Sequence, residues 1–274
     1  MHSPDRLSLL AWNILHGGGA KRAASIALRL LEIAPDVLVL SEFRTTMGGQ
    51  LRALLAEHGW EHQVCTDPTT GRNGMLIASR EPIRAASAAP AAFPGRFIHV
   101  THPSSGVDII GVHAPDGFDR SSRQAAYWHH LLDVAKPAAT GPCVILGDFN
   151  TGRHRQDEAG ESFQCTALLG QLCTYGYCDA WRQLHPQDQD FTWFSHQGGG
   201  FRIDAAYCSP PLLDALVSAR HIHATRTEQE SDHSALWVDF SRFSTLKSHV
   251  QEPDLCTDAE NQGLFVVEKP RLPS

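Results

Sequence analysis

No stretch of about 20 consecutive apolar residues occurs in this 274-residue chain, which excludes a helix spanning a membrane. Positive charge is in short supply: 23 Lys and Arg stand against 30 Asp and Glu, a formal net charge of −7. A protein that coats nucleic acid through overall basicity needs the opposite balance, so any contact with DNA has to come from a local patch, or the substrate is small. The seven Cys are odd in number and form no C-x-x-C pair, which argues against a disulfide framework and for a reducing compartment. Met1-His2-Ser3-Pro4-Asp5-Arg6 leads straight into a strand-like run with no apolar leader, and a cytoplasmic location is the expectation. No G-K-[ST] follows Gly17-Gly18-Gly19, so a nucleotide loop is not expected there. No Cys or Ser stands poised beside a base, which points to attack by water without a covalent intermediate.

What is present reads as a soluble core, with 42% apolar and 19% charged residues. Strand-like runs occur at Leu7–Ile14, Val37–Leu40, Gly74–Ala78, Phe97–Thr101, Val107–His113, Val144–Leu146, Ile203–Tyr207, Leu216–His223 and Ala235–Phe240. The unbroken apolar run at Val37–Leu40 is that of a strand buried on both faces. Helical spacing appears over Ala23–Ile33, Leu51–His58 and Arg123–Val134. Helices alternate with strands, but several strands follow one another directly, which predicts an α/β fold with mixed sheets. Residues 1–243 are expected to form the catalytic domain. From 244 to 274 the chain becomes polar and proline-punctuated, as in a partly disordered tail.

Several of these strands end in polar clusters: Trp12-Asn13, Ser41-Glu42 and Gly147-Asp148-Phe149-Asn150, with Arg202-Ile203-Asp204 and Ser231-Asp232-His233 adding more. Strand ends bring distant residues to one rim of a sheet. Gathering Glu42, Asp148, Asp204 and Asp232 there requires compensation, because two unit charges about 4 Å apart repel by roughly 4 kcal/mol at an effective dielectric near 20. A divalent metal or a shared proton supplies it, and this chemistry suits phosphoester hydrolysis. Glu42 is the best candidate for the primary metal ligand. Asp148 suits deprotonation of water or protonation of the leaving oxygen. Asn150, two residues on, points the same way if the chain is extended, and would orient water or phosphate. Asp232 and His233 are adjacent, so one can reach the metal while the other faces phosphate. His233 works best as a cation, its pKa raised by a carboxylate such as Asp204.

This ordered set, together with Thr192-Trp193, resembles the endonuclease/exonuclease/phosphatase superfamily, and within it the exonuclease III-like branch of Mg²⁺-dependent nucleases. The resemblance covers about Leu7 to Phe240. It implies a four-layer α/β sandwich, two mixed β-sheets packed face to face with helices outside, and Mg²⁺ (or Mn²⁺) as cofactor. It implies that Glu42 binds the metal with Asn13 in support, and that Asp232 makes a second or water-mediated metal contact. Asp148 and Asn150 would act on nucleophile and phosphate, and Asp204 would orient His233. Trp193, Phe201 and Ile203 occupy the places of an apolar pocket that accepts a base-less sugar.

Two departures bear on specificity. Where that branch carries a Tyr before its Pro motif, this chain has His113-Ala114-Pro115-Asp116, a form similar to secreted deoxyribonucleases and other phosphodiesterases of the superfamily. Leu15 stands where some abasic-site enzymes place a carboxylate. His113 remains able to donate to phosphate, Asn73 to reach it, and Arg153 and Arg155, just after Asn150, to touch substrate. The expectation is a divalent-metal-dependent phosphodiesterase cutting DNA, with a role in DNA repair. Its rivals are a phosphoesterase for a small molecule or phospholipid headgroup, favoured by the acidic balance and Asp116, and an inactive binding protein of the same fold.

Overall fold

In the computed structural model, residues 5–66, 72–87, 93–116 and 121–241 are described. The expected tail at 244–274, and with it the domain boundary near 243, lies outside them. In chain order the elements are β1 (Arg6–Asn13), α1 (Gly19–Ile33), β2 (Val37–Phe43), α2 (Thr45–Glu57), β3 (His62–Cys65), β4 (Gly74–Ser79), β5 (Arg84–Ser87), β6 (Phe97–His102) and β7 (Val107–His113). There follow α3 (Ser121–Ala138), β8 (Cys143–Asp148), α4 (Thr166–Thr174), β9 (Cys178–Asp179), α5 (Ala180–Leu184), β10 (Trp193–Phe194) and β11 (Gly200–Phe201). The remainder comprises β12 (Asp204–Cys208), α6 (Pro210–Leu213), β13 (Leu216–Ile222), α7 (Ala224–Thr227) and β14 (Ala235–Ser241).

These strands form two six-stranded sheets, ordered β13-β14-β1-β2-β4-β3 and β5-β6-β7-β8-β12-β9, with β10-β11 as a separate hairpin. Both sheets are mixed: β1 runs parallel to β2 and β7 parallel to β8, while β1–β14 and β8–β12 are antiparallel. Alternation along the strands explains the layering, since successive side chains point to opposite faces. Leu7, Leu9 and Ala11 of β1 and Val37 and Val39 of β2 meet Val107, Ile109, Val144 and Leu146 of the other sheet in one core. On the outer side of the first sheet, Leu10 and Trp12 pack with Ile26, Leu30 and Leu55 of α1 and α2. On the outer side of the second, Ile110, Val112 and Ile145 pack with Tyr127, Trp128, Leu131 and Leu169 of α3 and α4. Helix, sheet, sheet and helix thus make the expected four-layer sandwich.

The strands with long apolar runs fall where periodicity predicts them. Not anticipated were β3, β5, β9, the β10–β11 hairpin and the four helices from α4 to α7; the strands among these are two to four residues long, too short for a period to register. Helix α3 also runs past Val134 to Ala138, with Pro137 in its last turn. The six cysteines among the described residues are all free. No helix among the described residues is long and apolar enough to cross a membrane.

Candidate active site at one rim of the two sheets

The strand directions bring the polar clusters to a single rim. β1, β2, β7 and β8 arrive there at their C-terminal ends, whereas β12 and β14 depart from it. Register does the rest: Asn13 lies beside Ser41, His113 beside Asp148, and Asp148 opposite Asp204. Gly147 makes the β7–β8 approach possible, because a Cβ there would stand 2.1 Å from the Val112 carbonyl oxygen at a φ of 138°.

His233 joins Asp204 to Asp148. Its Nδ1 is 2.9 Å from Asp204 Oδ2 and its Nε2 is 4.0 Å from Asp148 Oδ2. The ring is set by its own backbone: the His233 carbonyl accepts from Trp12 Nε1 at 3.2 Å and from Thr225 Oγ1 at 3.1 Å. Thr192 Oγ1 accepts from the Ile203 and Asp204 N–H groups at 3.1 and 3.2 Å, holding the start of β12. Asn13 Nδ2 donates to Asp148 Oδ2 at 3.0 Å and lies 3.4 Å from Glu42 Oε1, while Asn13 Oδ1 accepts from the Leu15 N–H. Glu42 itself sits at a φ of 57° and faces two histidines, His16 Nδ1 at 2.6 Å and His113 Nε2 at 3.7 Å.

Burial and charge tune the three central groups differently. Burial pushes the Asp148 carboxyl up to about 7, with Asp204 adding to the rise and His233 and Asn13 opposing it. Burial alone would lower His233, but the charge and hydrogen bond of Asp204, backed by Asp148 and Asp232, outweigh it and raise this imidazole to about 10. His113 is driven well below its ordinary value by burial, with Arg96, His233 and His16 reinforcing the effect. His233 is therefore a cation at neutral pH and His113 a neutral ring.

A metal ion fits the donor chemistry of this rim. Asp148, Asp204 and His233 offer ligand atoms within 4.8 Å of one another. His233 Nδ1 is engaged with Asp204, so that pair is partly committed to itself, and Glu42, its side chain 13% exposed and its Oε2 2.6 Å from His16 Nδ1, is a further carboxylate at the same rim. Asp232 lies further out, 44% exposed, accepting from Trp193 Nε1 at 3.1 Å and 4.0 Å from His233 Nε2.

The other expected residues divide. Trp193 and Phe201 pair across the β10–β11 hairpin with ring centroids 5.7 Å apart, and Ile203 is buried beside them. Asn150 departs from the extended path: its φ is 46°, its N–H donates to Asp148 Oδ1 at 3.0 Å, and its amide donates to the Ala114 carbonyl at 2.8 Å. A left-handed residue reverses the chain, so two-residue spacing no longer keeps its side chain parallel to Asp148. Asn73 is at the rim, held by Arg44 Nε at 2.8 Å. Arg153 and Arg155 turn elsewhere: Arg153 reaches Cys173 Sγ at 3.7 Å, and the exposed Arg155 pairs with Glu161 at 2.6 Å. Sequence reasoning passed over His16 and Arg44. The glycine run behind His16 was the signal available for the first, and nothing marked the second.

A two-sheet α/β sandwich with an Asp–His pair and further carboxylates at one rim defines the class. The chain belongs to the Endonuclease/Exonuclease/phosphatase family, whose model matches residues 10–233. Among solved structures, it resembles an AP endonuclease from Archaeoglobus fulgidus at 22% identity, covering 85% of this chain and 99% of that one with a TM-score of 0.75. It also resembles the 3'-5' exonuclease NExo from Neisseria meningitidis at 26% identity, covering 86% and 100%, with a TM-score of 0.74. A third structure, the 3' phosphatase NExo from Neisseria bound to product DNA hairpin, matches at 26% identity over 86% and 99%, with a TM-score of 0.74. No curated protein matches the chain.

Proposed function

We propose that residues 1–243 form a divalent-metal-dependent phosphodiesterase that hydrolyses DNA by in-line attack of water. The observation that carries this reading is the buried Asp204–His233–Asp148 arrangement, with Nδ1 of His233 2.9 Å from Asp204 and Nε2 facing Asp148. Asp148, with its pKa near 7, is half ionised near neutral pH and suited to take a proton from water as it attacks phosphorus. Asn13, donating to the same carboxylate, keeps it in one orientation. His233, held as a cation, faces the charge that builds on the phosphoryl oxygens. Neutral His113, and Asn73 once its amide is free of His16, would donate to phosphate. Glu42, with Asn13 in support and Asp232 further out, would hold Mg²⁺ or Mn²⁺, which when bound supplies Lewis-acid stabilisation of phosphoryl and leaving oxygens. Asn150 acts on the other flank, bracing Asp148 through its N–H.

The Trp193–Phe201 hairpin and Ile203 form an apolar wall beside this centre, suited to a sugar or base at the reacting nucleotide. The activities of the Neisseria and Archaeoglobus proteins favour DNA ends or abasic sites within that class. A small phosphoester is the second reading, favoured by the net charge of −7. Incubation with nicked, 3'-phosphorylated, abasic and single-stranded DNA, beside inositol phosphates and sphingomyelin, separates the two. Turnover of a small phosphoester with no DNA cleavage in Mg²⁺ or Mn²⁺ would remove the DNA reading.

A further inference from the structure

We propose that His16 is a nitrogen ligand of the cation held at Glu42, and that it biases this centre toward first-row transition ions over Mg²⁺. The inference rests on the reading above in one respect, that Glu42 is the cation's carboxylate.

The chain leaves β1 through five consecutive residues of positive φ: Leu15 at 42°, His16 at 57°, Gly17 at 71°, Gly18 at 77° and Gly19 at 57°. Glycine adopts these angles freely, but Leu15 and His16 do not. The two strained residues precede the glycines, so the glycines do not relieve them. This path brings two groups of His16 onto a single oxygen: its backbone N–H lies 2.8 Å, and its Nδ1 2.6 Å, from Glu42 Oε2.

A second, independent contact makes Nδ1 a contested atom. Arg44 Nε donates to Asn73 Oδ1 at 2.8 Å. A guanidinium only donates, so this fixes the Asn73 amide with its NH₂ toward His16, and Nδ2 lies 3.0 Å from Nδ1. Nδ1 thus faces an N–H donor on one side and a carboxylate oxygen on the other. A ring nitrogen carries either a proton or a lone pair. With a proton it satisfies Glu42 and opposes the Asn73 N–H. With a lone pair it accepts from Asn73 and sets that pair against Oε2.

A cation shared by Oε2 and Nδ1 removes the conflict, because both atoms then present lone pairs to a positive charge. The Asn73 amide is released in the same step and can donate to a substrate phosphate. The His16 side chain is 53% exposed, so the ring has room to adjust. Mg²⁺ strongly prefers oxygen donors, whereas imidazole nitrogen favours transition ions. One such nitrogen in an otherwise oxygen-rich site therefore shifts selectivity without abolishing Mg²⁺ binding.

The test uses the full chain without substrate. Mn²⁺ is titrated by electron paramagnetic resonance, and Mg²⁺ affinity is read from competition, for wild type, His16→Gln, His16→Ala and Glu42→Gln. We expect Mn²⁺ binding to weaken by about 10-fold or more in both His16 variants while Mg²⁺ changes by less than about threefold. In wild type, pulsed spectra of bound Mn²⁺ should show nitrogen hyperfine coupling that is diminished in both variants. Parallel changes for the two ions, or coupling of undiminished strength in the variants, would overturn the role of His16 while leaving hydrolysis intact. Unchanged Mn²⁺ binding in Glu42→Gln would overturn the metal assignment and the proposal together. The wild-type spectrum needs no variant to fold, so absence of nitrogen coupling is decisive by itself.

Discussion

Asp148 and Asp204 sit directly opposite one another in the β8–β12 ladder, so two buried carboxylates share one end of a sheet. Unscreened, such a pair would repel by several kcal/mol. His233 approaches both, its Nδ1 bonded to Asp204 and its Nε2 directed at Asp148, and its positive charge offsets the repulsion. The site's electrostatics follow from this triangle.

Asp148 should cost stability above acidic pH. Its carboxyl is raised from 3.8 to about 7, so below the lower value both folded and unfolded states hold the proton. Between the two values only the folded state holds it, and stability falls as pH rises, levelling off above about 7. A shift of this size corresponds to at most ~4 kcal/mol. Asp148→Asn is expected to be more stable than wild type at slightly alkaline pH by ~1–4 kcal/mol, with the gap closing in acid. The same variant should lose about 10²–10⁴ in rate. Identical urea midpoints for the two proteins at alkaline pH would contradict the assignment.

The rate should rise with pH as Asp148 ionises near 7 and fall as His233 loses its proton near 10. Asp204 raises both groups, so Asp204→Asn should move both limbs of the kcat/KM profile to lower pH. The His233–Asp204 interaction also stabilises the fold fully below the ordinary His value of 6.5 and is lost as pH rises through about 10. A profile for Asp204→Asn that superimposes on wild type would show that His233 is held by something else.

For Glu42→Gln, the Mg²⁺ concentration giving half-maximal rate should increase by roughly 10-fold or more, while thermal unfolding of the metal-free protein changes little. The residue is near the surface of the rim and 13% exposed, so an amide fits without repacking the core. An unaltered Mg²⁺ titration would remove Glu42 from the ligand set.

Gly147→Ala should be destabilising by about 3 kcal/mol or more, because the added carbon meets the Val112 backbone oxygen at 2.1 Å and φ is 138°. Backbone cannot rotate away as a side chain can, so the β7–β8 pairing must open next to His113 and Asp148. A urea midpoint close to wild type, with activity preserved, would show that the two strands separate more easily than their register suggests.

Much of this architecture can be read along the chain. The apolar runs of β1, β2, β7, β8, β12 and β14 are long enough to announce strands, and the polar residues at their ends, in family order, announce Asn13, Glu42, Asp148, Asp204 and His233. Short elements escape. Trp193–Phe194 and Gly200–Phe201 are two residues each, and the rings packed around their hairpin, Phe163 on Phe201 and Phe191 on Phe194, come from positions that no short period marks. Arg153 and Arg155 follow Asn150 closely in sequence, but the loop that carries them is tied back by the Arg153 N–H on Asp157 and directs both guanidiniums away from the rim.

The sequence by itself determined which residue types exist to do the chemistry, and that strands and helices would combine in an α/β fold with mixed sheets; the stacking of two sheets between helices was implied by the family resemblance. Only the tertiary structure decided how those residues meet. Parallel and antiparallel register set Asp148 against Asp204 and His113, and left-handed backbone at His16, Glu42 and Asn150 redirected three side chains that an extended chain would have sent elsewhere. The reason is physical: hydrophobic periodicity is local and survives in a linear pattern, whereas a contact between residues more than a hundred positions apart depends on which strands pair and where the backbone turns.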